Sequence, residues 1–119
     1  MSVIGIEKLE FGVEDLPTCE KFMQDFGLQP ATQHWGEPQR EFTTLSGARI
    51  VLHPLQSAAL PAAFEGGSTL RRMTWGVASP AELARLQPRL ALMPGFRQVG
   101  EELECLDPNG MTLRFVVSR

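Results

Sequence analysis

At 119 residues, 43% of them hydrophobic, the chain is long enough to bury one core and too short for two ordinary independent domains. A net charge of −3, with both signs scattered along the sequence, supplies no basic stripe of the kind that nucleic acid binding needs, so nucleic acid is not an expected partner. Nowhere do about 18 apolar residues run together. The opening Met1-Ser2-Val3-Ile4-Gly5 also lacks a basic segment leading into an apolar one. A soluble cytoplasmic protein without membrane contact is the expectation.

Ile6 to Val13 alternates, with Leu9, Phe11 and Val13 apolar on one side, and predicts a half-buried strand. Asp15 then offers an N-cap and Pro17 sits in the first turn. Leu16, Cys19, Phe22, Met23 and Phe26 recur at helical spacing until Gly27, which predicts an amphipathic helix with these residues on its apolar side. The stretch from Gln29 to Gln39, polar and broken by Pro and Gly, reads as irregular, with Trp35 a candidate for a further short strand and His34 on a loop. Phe42 to Leu45 and Arg49 to Leu52 are joined by Ser46-Gly47, a hairpin signal. Gln56 to Thr69, rich in Ala, Pro and Gly, reads as a linker.

The order then repeats. Leu70 to Val77 lies in register with the first strand, so that aromatic-Gly-Val recurs as Phe11-Gly12-Val13 and Trp75-Gly76-Val77. Ser79-Pro80-Ala81-Glu82 is a capping box that opens a second helix, with Leu83, Leu86 and Leu90 on its buried side and a kink expected at Pro88. Phe96 to Val99, Leu103 to Leu106, the turn Asp107-Pro108-Asn109-Gly110 and the strand Met111 to Val117 complete it. Cys19 and Cys105 fall on a predicted helix and a predicted strand with no CxxC or Cys/His spacing, and are read as reduced, buried, small apolar residues.

The run Leu9-Glu10-Phe11-Gly12-Val13-Glu14-Asp15-Leu16, the helix end Phe26-Gly27-Leu28 and the closing Asp107-Pro108-Asn109-Gly110-Met111-Thr112-Leu113, together with the internal repeat, resemble the vicinal oxygen chelate superfamily of glyoxalases, bleomycin resistance proteins and extradiol dioxygenases. The resemblance implies an α+β fold: two βαβββ repeats whose curled mixed sheets surround an open cleft for a small molecule. It also implies one domain over 1–119, with repeat one at 3–55, a linker at 56–69 and repeat two at 70–118. Arg49 to Pro54 and Thr74 to Leu83 look closest to the amino-terminal, non-catalytic module of extradiol dioxygenases, and on that likeness a homodimer is expected.

Strand parity assigns the face opposite Leu9, Phe11 and Val13 to Lys8, Glu10 and Gly12. The same count puts Arg49, Val51 and His53, then Arg72, Thr74 and Gly76, then Thr112, Arg114 and Val116, on the cleft side. The resemblance lays Lys8, Val51, Arg72 and Arg114 on the family's metal-ligand positions. Lys and Arg offer no lone pair at neutral pH and Val has no donor atom, so no metal and no other cofactor is expected. A register shifted by two would present Glu10 and His53 instead, too few for a closed metal site.

Lys8, Glu10, Arg49, His53, Arg72 and Arg114 are therefore the ligand-binding candidates. The cations suit an anionic or aromatic small molecule. Their plainer role is to line a wet groove, to pair with Glu10, Glu102 or Glu104, or to meet another subunit. His53 is either a general base or an ordinary strand-end histidine. Trp35 and Phe42 either stack on a flat ligand or pack in a core or dimer contact. No nucleophile motif is present, and no catalytic residue is assigned. The expected function is a small-molecule-binding or non-catalytic dioxygenase-like module. The alternative is a glyoxalase- or dioxygenase-like enzyme with an unconventional site built on His53 and Glu10, or with its catalytic half elsewhere.

Overall fold

The alternation around Leu9 produces strand β1 (Val3–Val13), which starts earlier than its apolar pattern does. Asp15 caps helix α1 (Leu16–Asp25), its carboxylate accepting from the Thr18 backbone N–H at 3.1 Å. Strands β2 (Gln29–Pro30), β3 (Arg40–Thr43) and β4 (Arg49–Pro54) finish the first repeat. The second comprises β5 (Thr69–Val77), α2 (Pro80–Leu90), β6 (Arg97–Val99), β7 (Glu102–Leu106) and β8 (Thr112–Val117). The computed structural model describes residues 3–30, 39–44, 46–62 and 69–118. The expectations for His34, Trp35, Leu45 and the linker positions 63–68 lie outside them.

The chain is α+β with two βαβββ repeats, as the sequence implies. It divides into two compact units, one of Lys8–Arg71 and one of Met1–Glu7 with Arg72–Arg119. In the first, the strands run in the order β2-β3-β4-β1, with β1 parallel to β4 and the other pairs antiparallel. The second repeats the scheme as β5-β8-β7-β6, with β5 parallel to β8. The boundary falls within β1, whose opening residues Val3–Glu7 belong to the second unit.

Helix α2 runs through Pro88 to Leu90, as the sequence expects. Two local outcomes differ from the sequence expectation. Gln29 and Pro30, read as irregular, pair with Thr43 and Phe42, and β2 is an edge strand, where a proline without an N–H is tolerated. On α1, Leu16, Cys19 and Met23 pack on the core, but Phe22 and Phe26 are 60% and 74% exposed. These two rings stack on each other instead, centroids 5.9 Å apart. The stripe at i, i+3 and i+7 faces the sheet, and the i, i+4 pair is rotated onto the helix flank.

The first unit buries Val13, Phe42 and Leu52 beneath α1, which settles Phe42 as a core residue. The second buries Val77, Leu83, Leu90, Leu103, Cys105 and Phe115, with Trp75 and Leu86 packed against them. Cys105 is fully buried, while Cys19 is only half-buried because it sits near the edge of the α1 stripe. Burial, and then the nearby Asp107 and Glu104 carboxylates, push the Cys105 thiol up. A disulfide reagent is therefore expected to label Cys19 in the native protein and Cys105 only after unfolding. Peptide mass mapping checks this, and equal labelling of both in the native state would contradict it.

Candidate functional site

Strand register carries the polar face. In the parallel β1–β4 pair Lys8, Glu10 and Gly12 lie beside Arg49, Val51 and His53, opposite the helix-facing Phe11, Val13, Ile50 and Leu52. In β5–β8 the row is Arg72, Thr74 and Gly76 beside Thr112, Arg114 and Val116, with Glu104 of β7 opposite Arg114. The parity read from the sequence is the parity of the structure. Much of this face is buried: Glu10 is 4% exposed, His53 3%, Arg72 8% and Glu104 7%. Pairing, rather than open water, is what makes that tolerable.

Within the unit Lys8–Arg71 the candidates Lys8, Glu10 and His53 gather, and within the other Arg72 and Arg114 do. In Lys8–Arg71, His53 Nε2 lies 3.2 Å from Glu10 Oε1, and Lys8 Nζ approaches Glu10 Oε2 at 4.0 Å. A carboxylate only accepts, so Nε2 is the nitrogen that donates to it, and in the neutral ring Nδ1 then holds the lone pair. Nδ1 is buried and has no hydrogen-bond partner among the described residues. Arg49 stands apart, 46% exposed and 3.9 Å from Glu41. Glu10, 43 positions away, is the partner of His53, the two residues that the alternative enzymatic reading of the sequence joined.

In the other unit Arg72 and Arg114 converge on Glu104. Arg114 Nη2 donates to Glu104 Oε1 at 2.7 Å and Arg97 Nε to Glu104 Oε2 at 2.7 Å, with Arg72 Nε at 3.9 Å. Arg114 also reaches Glu102 at 3.5 Å. Burial alone would raise the Glu104 pKa, but the hydrogen bonds and charges of Arg97 and Arg114 hold it below the ordinary glutamate value. A carboxyl more acidic when folded stabilises the fold above its unfolded pKa, and that contribution is lost as pH falls through the depressed folded value. Stability to urea should therefore drop on acidification from neutral pH to about pH 3. Glu104→Gln should flatten that part of the profile, and an unchanged slope in the variant would contradict the assignment.

Two further residues were not singled out from sequence. Arg97 on β6 joins the Glu104 cluster, signalled only by its position opposite Glu104 in the ladder. Arg71, 8% exposed, donates to Leu55 O at 3.2 Å, Pro61 O at 3.1 Å and Thr69 Oγ1 at 3.2 Å, tying down the segment after β4. A Cβ on Gly12 would meet this guanidinium at 3.0 Å, which accounts for the glycine.

The positions that the resemblance assigns to metal ligands hold Lys8, Val51, Arg72 and Arg114. Lys8 and Arg114 are committed to carboxylates, and Val51 is apolar. Among the described residues no group of three or more His, Cys, Asp or Glu gathers in metal-binding geometry. The family's metal does not fit this donor set.

No protein-family model matches the sequence, and no curated protein does. Solved structures do match. A catechol 2,3-dioxygenase superposes with a TM-score of 0.78 at 22% identity, over 99% of this chain and 42% of its own. The Mn(II)-bound glyoxalase from Novosphingobium aromaticivorans gives 0.71 at 14% identity, over 96% of this chain and 38% of its own. Methylmalonyl-CoA epimerase from Mycobacterium tuberculosis gives 0.64 at 21% identity, over 98% and 89%. The chain thus spans less than half of the dioxygenase and glyoxalase chains and most of the epimerase. Repeat order, register and these superpositions agree: the chain has the fold of the vicinal oxygen chelate superfamily.

Proposed function

We propose that the chain is a metal-independent small-molecule-binding module whose ligand carries a carboxylate or a similar oxyanion. The observation behind this is the convergence of three guanidinium groups, of Arg72, Arg97 and Arg114, on the face around Glu104. The side chains of Arg72 and Arg114 are only 9% and 13% exposed, so an oxyanion reaching them meets poorly screened cationic donors.

Calorimetry with benzoate and its uncharged analogue benzamide tests the reading. Benzoate should bind more tightly, and Arg72→Ala and Arg114→Ala should each weaken it by about 1.5–3 kcal/mol, the range for hydrogen bonds to charged groups. Equal affinity for the two compounds, or affinity indifferent to both substitutions, would refute it and leave the cluster a purely structural ion network. Metal analysis of protein purified without chelator is the companion measurement. One tightly held ion per chain would overturn the metal-independent part.

A further inference from the structure

In the unit Lys8–Arg71, His53 presents a buried ring nitrogen whose partner the described chain does not supply. His53 is 3% exposed, and its Nδ1 is unpartnered while Nε2 faces Glu10. A buried polar atom left unmatched is costly, and native structures match nearly all of them. In the neutral ring, with Nε2–H directed to the carboxylate, Nδ1 is an acceptor, and what satisfies it is then a donor.

The surroundings favour a donor that can lose its proton. Glu10 stands ready to stabilise an imidazolium, as a carboxylate does for any histidine that takes up a proton. Lys8 Nζ lies 4.0 Å from Glu10, and the Arg71 guanidinium covers Gly12, the register partner of His53. Cations next to the pair offset the negative charge that deprotonation leaves behind.

We propose that Glu10 and His53 form a proton-accepting pair for a weakly acidic hydroxyl on a bound small molecule. The O–H bond breaks, its electron pair stays on the ligand oxygen, and the proton forms an N–H bond at Nδ1. Glu10 keeps its hydrogen bond to Nε2–H and balances the new positive charge. The step needs no metal, oxidant or further reactant.

The test uses the chelator-treated full chain and 4-nitrophenol, whose neutral and ionised forms absorb differently and which ionises near neutral pH. At the pH of that ionisation, where an ordinary histidine is largely neutral, the bound probe should show a phenolate-to-phenol ratio at least about tenfold above that of the free probe. His53→Gln and Glu10→Gln should each return the ratio to that of the free probe. A bound probe that stays neutral, no binding, or a phenolate signal that survives His53→Gln would each overturn the proposal. A second readout needs no variant: nitrogen-15 spectra of wild-type protein should show His53 protonated at Nε2 alone and gaining an Nδ1 proton with the probe. An Nδ1–H tautomer in the free protein would also overturn it. Benzoate binding that persists while 4-nitrophenol fails would sink this inference and leave the anion-binding reading standing.

Discussion

Replacing Glu104 with leucine is expected to cost about 3 kcal/mol of folding stability, read as a lowered urea midpoint at neutral pH. Breaking a buried ion pair by removing one partner typically costs about 3–5 kcal/mol, because the remaining charge stays out of water. The low end applies because Arg97, 62% exposed, can turn to solvent, whereas the side chains of Arg72 and Arg114, 9% and 13% exposed, cannot readily do so. Adding Arg114→Leu should recover part of the loss, since a charge is then removed along with its counterion. Losses that simply add would show that Arg114 finds another partner, and that Glu104 is not the centre of the network.

Phe42→Ala should be as severe by a different route, about 3–5 kcal/mol, the usual range for deleting a buried aromatic ring. Phe42 is fully buried, and the core it completes has just Val13 and Leu52 as its other buried members among the described residues. Helix α1 contributes no buried residue of its own, so little stands ready to collapse into the cavity. Hydrogen exchange should show α1 and β3 losing protection before α2 and β7. Uniform loss across both units would contradict the view that the thinner core is the weaker one.

Why some features are legible in the sequence and others are not follows from where their signals reside. Capping and turns are local: Asp15, Ser79 and Asp107 announce their roles within a few residues, and each does what its pattern says, Asp107 Oδ1 accepting from both Asn109 N and Met111 N at 2.8 Å. Parity is local too, which is why Lys8, Glu10, His53, Arg72 and Arg114 share the expected face. Pairing is not. Glu10 meets His53 because β1 and β4 are parallel neighbours at one particular register, and nothing within either strand states which carboxylate the imidazole will find. The Glu104 cluster joins residues on four strands, so only its membership in a charged face was readable. Phe22 and Phe26 show the opposite failure: helical periodicity names apolar residues, but the width of the sheet beneath decides how many of them are covered.

The division within β1 has a consequence for how the molecule is made. Val3 packs against the core of the second unit, and Glu7 accepts a hydrogen bond from Ser118 at the end of β8. Residues 3–7 are synthesised before everything else they touch, so on the ribosome this segment waits 111 residues, from Glu7 to Ser118, for its last partner. The first repeat is free to condense as it emerges, but the second completes its core only by recruiting a segment made before that repeat. Closure of the second unit is thereby tied to completion of translation through β8, and a nascent chain halted before that strand would leave the opening of β1 without its C-terminal contacts.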